Sequence, residues 1–476
     1  MRRMSGMDAM FLYNEIPTQH LHTLKLAILD PPEGPEGYSF EKERDLLEET
    51  LDRLPPLRWK VVPTPFSINH PLWIEDPAFD LDLHVHRAAL PEPGGKKELC
   101  DFIAEVSSRP LDRTRPMWEM WMVEGLEGGR IASVVKVHHS LADGHATADM
   151  LNEFLTARAG ELPPKPARPW QPEPIPSRAW LFWRGVADLI PYLFRGIPVL
   201  VRAIQAARKR KAAHIEAGVK QPPSPFTGPN TMVNAILTAQ RRFAYTTLPL
   251  DVVKQTGRAF GASINDVLLA VVAGGVRRYL LERDDLPDAP LVACVPIDTR
   301  AAEKEKTYGN HVSTMYVDLC TTIDDPVERL LAIHEATEAS KLELEDTKGA
   351  RLPDFFEYVP PVISRVLMSR GQTHMKRMGR PSQANVIVSN VRGPAQPLFH
   401  DRLPLNEFYS IGPVLEGMGL NITGWSYNER MNIALLADRA MVPDLWPLVD
   451  ALHDALDELR KAAAEQVAST TLEAPR

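Results

Sequence analysis

The chain has 476 residues, 44% of them apolar and 24% charged, with a formal net charge of −8. That length exceeds one ordinary core and predicts two or three domains, while the acidic balance excludes a general nucleic-acid binder, which needs a basic face. The three cysteines, Cys100, Cys294 and Cys320, lie far apart and form no CxxC pair, so a reduced, cytoplasmic setting is expected.

In chain order, MRRMSGMDAMFLYNEIP opens with two arginines, but Asp8 and Asn14 interrupt any apolar run of signal-peptide length. No window reaches the roughly 18 uninterrupted apolar residues of a spanning helix. HTLKLAIL from His22 and RIASVVKVHH from Arg130 read as strands. KKELCDFIAEVSS from Lys96 puts Leu99, Phe102, Ile103 and Val106 at helical spacing. HATADMLNEFLTARA predicts a helix with Met150, Leu151, Phe154 and Leu155 on one face.

Proline is dense from Pro163 to Pro176, which predicts an extended linker. The following AWLFWRGVADLIPYLFRGIPVLVRAIQAARKRK mixes Trp, Leu, Ile and Phe with Arg184, Asp188, Arg195 and Arg202, and Pro191 and Pro198 are expected to kink it. An α/β pattern then resumes. RRFAYTTLPL and LVACVPID read as strands, DVVKQTGRAF and SINDVLLAVVAGGVRRYLLE as helices. The expected division is a first α/β domain over 1–160, a linker and amphipathic helical insert over 161–229, a second α/β domain over 230–460, and a flexible tail over 461–476.

The chemistry gathers where the strand from Arg130 ends. His138 and His139 stand side by side, and Asp143-Gly144 follows before the predicted helix. Neutral imidazole, with an ordinary pKa of roughly 6.5, is suited to remove a proton from a hydroxyl near neutrality. Gly144 permits a tight turn, and Asp143 can hold the loop through a buried ionic contact. Two plainer readings stand beside this one. The histidine pair can be incidental. A metal can sit on the strand-face doublets His20/His22 and His84/His86, although His84 and His86 read more simply as polar positions on a solvated face; no metal is assigned. No G-x-S-x-G elbow, H-E-x-x-H, P-loop or dinucleotide glycine fingerprint is present, and GMGLNITG has the wrong spacing.

HHSLADG fits HHxxxDG, the signature of the CoA-dependent acyltransferase superfamily. Around it stand MSGMDAMFLYNE, PLWIEDPAFDLDLHVHRAALPEPGG, SRPLDRTRPMWEMWMVEGLEGGR, PFTGP with RRFAYTTLPL, INDVLLAVVAGGVRRYL and VIVSNVRGP. Together they resemble the bacterial wax ester synthase/diacylglycerol acyltransferase family, from about residue 4 to residue 458. The resemblance implies an α/β (α+β) fold of two chloramphenicol-acetyltransferase-like domains with mixed sheets and an active-site tunnel at their interface. It implies transfer of a long-chain acyl group from acyl-CoA, a co-substrate with no further cofactor, to diacylglycerol or a long-chain alcohol.

By the same resemblance His139 is the general base, with His138 and Gly144 completing the motif. Asn265 is a candidate for lining the site, against a capping role shared with Asp266. Asp143 is expected to turn away from substrate and pair with Arg300 of VPIDTR, upstream of YGN (Tyr308 to Asn310). Met117 stands where Pro-Leu-Trp is common, a volume-conserving change. Arg392 stands where proline is common, either as a solvated loop residue or as an altered tunnel rim or CoA phosphate contact. The insert over 180–211 either packs on the domains or meets a lipid surface, so a cytoplasmic protein able to sit peripherally on the inner membrane face or a lipid droplet is one expectation, and two fused domains that already supply a composite site suit a monomer. The competing functions are a catalytically weak lipid or acyl-CoA binder, and an acyltransferase for another lipid hydroxyl.

Overall fold

The computed structural model describes residues 1–31, 38–142, 153–161, 172–216, 222–298, 310, 312–346, 357–366 and 383–473. Its first half runs β1 (Arg2–Arg3), α1 (Gly6–Asn14), β2 (His22–Leu29), α2 (Phe40–Thr50), β3 (Trp59–Val62), β4 (Leu72–Glu75), β5 (Val85–Ala89), α3 (Lys96–Ser107), β6 (Trp118–Glu124) and β7 (Ile131–His138). Helix α4 (Arg178–Glu216) follows, passing as a single run through Pro191 and Pro198. The second half runs β8 (Arg241–Pro249), α5 (Leu250–Phe260), α6 (Ile264–Leu281), β9 (Val292–Asp298), β10 (Val312–Asp318), α7 (Pro326–Asp346), β11 (Val386–Arg392), β12 (Phe399–His400), β13 (Leu403–Ile411), β14 (Leu420–Tyr427), β15 (Arg430–Asp438) and α8 (Trp446–Glu473).

These strands build two six-stranded sheets, β12-β13-β2-β7-β6-β5 and β10-β9-β11-β14-β15-β8, and a three-stranded sheet β1-β4-β3. Both large sheets are mixed: β5 lies parallel to β6, and β11 lies parallel to β9 and β14, among otherwise antiparallel pairs. The first sheet is not made of the first half alone. β12 and β13 cross back from the second half, β13 pairing with β2 and β12 with β13, so the expected boundary at 230–460 does not separate two self-contained sheets. Backbone pairing along β13 (Leu405 to Ile411 against Leu29 to Leu24) makes the two halves one hydrogen-bonded body there.

β2 and β7 pair along their length with His22 opposite His138, and their alternation decides what lies on each face. Leu24, Leu26, Ile28, Ala132 and Val134 join Leu99, Ile103 and Val106 of α3 in one core, each buried leucine or isoleucine contributing about 1.5–3 kcal/mol. Ala27, Leu29, Ser133, Val135 and Val137 line a cavity on the other face. In the second half α6 is buried for most of its length against the sheet and α8. Its Gly275 lets α8 approach closely, since a Cβ there would meet Leu452 Cδ2 at 2.7 Å.

Two expectations need correction. Residues 153–161 form turns and an isolated bridge, Thr156 with Phe399, rather than the end of a helix carrying Phe154 and Leu155; both side chains instead line the cavity beside β12. Met150 and Leu151 lie outside the described residues. The tail expected at 461–476 is helical as far as Glu473, because KAAAEQVAS is rich in helix-formers and Ala463 is buried.

Candidate active site

His138 is the last residue of β7, and His139 follows it off the sheet. His138 is wholly buried, and its main-chain N–H donates to Met117 O at 2.9 Å. The Ser140 N–H donates to His138 Nδ1 at 3.1 Å, with Ser140 Oγ 2.7 Å from the same nitrogen. A main-chain N–H only donates, so Nδ1 holds the lone pair and the neutral ring carries its hydrogen on Nε2. That nitrogen faces Glu15 Oε2 at 3.7 Å. Burial pushes the Glu15 carboxyl up, but His138 and Arg113 together outweigh it and hold the group down at about 2.

His139 has different company. Its N–H donates to Leu21 O at 2.8 Å, and its half-buried ring stacks on Phe11 with centroids 4.1 Å apart and planes at 12°. Its Nδ1 lies 3.0 Å from Oδ1 of Asn310, a residue of the second half. Asn310 Nδ2 donates to the His139 carbonyl at 2.7 Å and to Asp8 Oδ1 at 2.7 Å, and the Asn310 N–H donates to that same Asp8 oxygen at 2.9 Å. The ring is therefore held from α1, from β7 and from the second half at once. Sequence reasoning gave neither Asp8 nor Asn310 a place at the site: Asp8 read only as a break in the N-terminal apolar run and Asn310 only as the end of YGN, both far from HHSLADG.

Asp143, Gly144 and Arg300 lie outside the described residues. Asp266 is fully buried and closes a capping box at the start of α6: its Oδ2 accepts from Ser263 N at 2.9 Å while Ser263 Oγ accepts from Asp266 N at 3.2 Å. The same Oδ2 lies 2.9 Å from His334 Nδ1. Asn265, beside it, is half-buried and accepts from Asn390 Nδ2 at 3.5 Å, which joins the IND and SNVRGP stretches. Met117 is wholly buried, as packing requires, and Arg392 is exposed at the end of β11.

His84 and His86 depart from a solvated-face reading. His84 is 1% exposed, stacked on Phe79 and Trp118, with Nδ1 2.8 Å from the Trp118 carbonyl. His86 is half-buried against Trp121. A neighbouring aromatic wall, rather than strand alternation, decides both. His20 and His22 stack on one another in the interior, and burial drives the first down to about 4 and the second well below its ordinary value. Among the described residues no group of three or more His, Cys, Asp or Glu side chains is arranged to hold a metal.

Between the first sheet and α2 lies an apolar cavity of about 100 Å³, whose lining includes Val137, two residues before His139. Trp118 and Val137 line it near the end of β7 that delivers His138; Ala27, Leu29, Met120, Val135, Phe154 and Phe408 continue it. Three of its polar members are already engaged. Lys25 donates to Ser410 Oγ at 2.5 Å, and His400 Nε2 lies 2.6 Å from Glu43 Oε2.

Two α/β halves with mixed sheets, a histidine pair leaving a central strand where the halves meet, and an apolar cavity against that same strand define an acyltransferase of the two-domain kind. Residues 4–268 match the wax ester synthase/diacylglycerol acyltransferase catalytic domain, and residues 308–460 match the C-terminal domain of the same family. The chain belongs to that family. A Mycobacterium tuberculosis protein provisionally named diacylglycerol O-acyltransferase is 38% identical over 470 residues, covering 98% of each chain, and a second is 35% identical over 474 residues, covering 99% of each. The wax ester synthase/diacylglycerol acyltransferase from Marinobacter aquaeolei VT8 superposes with a TM-score of 0.69 at 26% identity, over 98% of this chain and 100% of that one. The first condensation domain of the calcium-dependent antibiotic synthetase, at 15% identity and a TM-score of 0.58 over 98% of this chain and 96% of its own, shares the fold.

Proposed function

We propose that the chain transfers a long-chain acyl group from acyl-CoA to the hydroxyl of diacylglycerol or of a long-chain alcohol, with His139 as general base. The observation that carries this reading is the placement of His139: it leaves a central strand at the meeting of the halves, stacked on Phe11 and fixed by Asn310, two residues after Val137 of the cavity wall. His139 takes the proton of the acceptor O–H as its oxygen attacks the thioester carbonyl carbon. The tetrahedral intermediate then expels the CoA thiolate, which recovers the proton, leaving ester and free CoA. Asn265 is our candidate donor to the developing oxyanion, a role that is usually a large catalytic term. The cavity takes a hydrocarbon chain, since its walls are almost wholly aliphatic or aromatic.

Work at a lipid surface fits helix α4, which packs on the protein by one side and presents apolar side chains outward on the other. Leu181 joins Val62, Leu72 and Ile74, whereas Trp183 and Phe194 are 68% and 77% exposed. Among the described residues no single helix is long and apolar enough to cross a membrane.

The deciding experiment is a product assay with palmitoyl-CoA, offering diacylglycerol and hexadecanol separately to wild type and His139→Ala. A general base is worth about 10²–10⁴-fold, so triacylglycerol or wax ester should fall by at least the lower figure in the folded variant. Folded wild type that binds acyl-CoA yet makes neither product, or a variant that keeps its rate, sinks the reading.

A further inference from the structure

We infer that Asn310, braced by Asp8, is a positioning residue that holds His139 as the Nδ1–H tautomer and so makes Nε2 the nitrogen that receives the acceptor's proton. The inference rests on the reading of His139 as general base and adds which nitrogen acts and what enforces it.

The orientation of the Asn310 amide is decided by its neighbours. Its Nδ2 lies 2.7 Å from the His139 carbonyl, which only accepts. A flipped amide would set two acceptors against each other there. On the Asp8 side, Oδ1 already receives the Asn310 main-chain N–H at 2.9 Å, so that oxygen acts as an acceptor, and Nδ2 is again the atom that suits it at 2.7 Å. Two independent contacts thus put the NH₂ group toward Asp8 and the His139 carbonyl, leaving Oδ1 to face Nδ1 at 3.0 Å. An amide oxygen cannot donate, so Nδ1 carries the hydrogen and, in the neutral ring, Nε2 carries the lone pair.

The opposite arrangement at His138, where a main-chain N–H donates to Nδ1, means that the two adjacent rings are set as different tautomers by different partners. Asn310 is 7% exposed and Asp8 3% exposed, so water does not readily replace either contact. The brace also couples the halves: Asp8 belongs to α1, His139 follows β7, and Asn310 stands at the start of the second-half segment leading into β10. The second half thereby fixes the state of a base carried by the first.

The test uses full-length protein labelled with ¹⁵N-histidine, at a pH above the imidazole range so that the rings are neutral. The His139 signals are assigned by their disappearance in His139→Ala. The expected wild-type pattern is protonated Nδ1 with unprotonated Nε2. Asn310→Leu should shift that signal toward the other tautomer and lower kcat by at least about 10-fold with KM for acyl-CoA little changed, since a base held in the wrong tautomer loses up to about 10⁴-fold. Asp8→Asn, which still offers an oxygen to the Asn310 donors, should keep both tautomer and rate, whereas Asp8→Ala should lose both. An Nε2–H tautomer in wild type overturns the inference, and so does an unchanged tautomer in folded Asn310→Leu. Retained turnover in His139→Ala would instead refute the general-base reading, while the wild-type spectrum still decides the tautomer.

Discussion

Glu43 of α2 and His400 of β12 meet at 2.6 Å beside the apolar cavity, with side chains only 4% and 14% exposed. Burial works against a charged His400, but the Glu43 carboxylate and the Phe154 carbonyl outweigh it, and the imidazole titrates above its ordinary value. A raised folded-state pKa stabilises the fold below the unfolded value, and that stability is lost as pH rises through the raised one. Urea unfolding should therefore show wild type losing stability relative to His400→Gln as pH rises above the ordinary imidazole value of about 6.5. Parallel curves for the two proteins would refute the pairing. Glu43→Ala, which strands one buried partner, should cost about 3–5 kcal/mol.

The Glu15–His138 contact has the opposite sign. The Glu15 carboxyl sits at about 2 in the folded protein against an ordinary 4.5, so it stabilises the fold above the ordinary value and that contribution drains away as pH falls toward 2. Glu15→Gln should lower stability at neutral pH and flatten the acid limb of the stability curve. Chemical unfolding measured from neutrality downward checks this; an acid limb as steep as wild type's would show that the carboxylate does not contribute.

What could be read from sequence follows from where the information is local. Strands β2, β7, β8 and β9 and helices α3, α5 and α6 were legible because each carries its own apolar periodicity, and HHSLADG because its spacing is contained in one stretch. The crossing of β12 and β13 into the first sheet was not legible, since LPLNEFYSI reads the same whichever sheet it joins. The burial of His84 depends on Phe79 and Trp118 standing on either side of it, and the Asp8–Asn310 brace joins residues at opposite ends of the catalytic architecture. Such contacts are consequences of tertiary packing and leave no periodic trace.

The cavity makes chain length a property that mutation can change. Ala27 lies on β2 in its wall, where a larger side chain would occupy space that a hydrocarbon chain uses. Each methylene that loses its berth forfeits about 0.8 kcal/mol, close to 4-fold in binding. Ala27→Phe should lower kcat/KM for hexadecyl substrates by at least about 10-fold relative to decyl ones, in either the acyl donor or the alcohol series. Assaying both series separately identifies which chain the cavity holds. An unchanged length profile in both, from a folded variant, would remove the cavity from the substrate path.

Helix α4 offers the test of work at a lipid surface. Trp180, Trp183, Ile190, Phe194, Val201 and Ile204 are all exposed, and steps of three, four and seven residues place them along one side of the helix. The opposite side is committed to the fold: Leu181 is buried, the Gly185 carbonyl accepts from Asn69 Nδ2 at 3.2 Å, and Asp188 pairs with Arg3 at 2.7 Å. A helix whose fold-facing side is anchored and whose water-facing side is aromatic and aliphatic resembles an interfacial helix more than a surface helix, on which polar residues face outward. Arg184, Arg195 and Arg202 add the positive charge that anionic headgroups attract. Wild type should float with vesicles containing anionic lipid, more weakly as salt rises, and Trp183→Asp with Phe194→Asp should leave the protein at the bottom of the gradient. The same double variant should keep its rate on a short, soluble alcohol while losing most of its rate on vesicle-borne diacylglycerol. Wild type that fails to float, or a double variant that floats as well as wild type, would show that this face does not meet lipid.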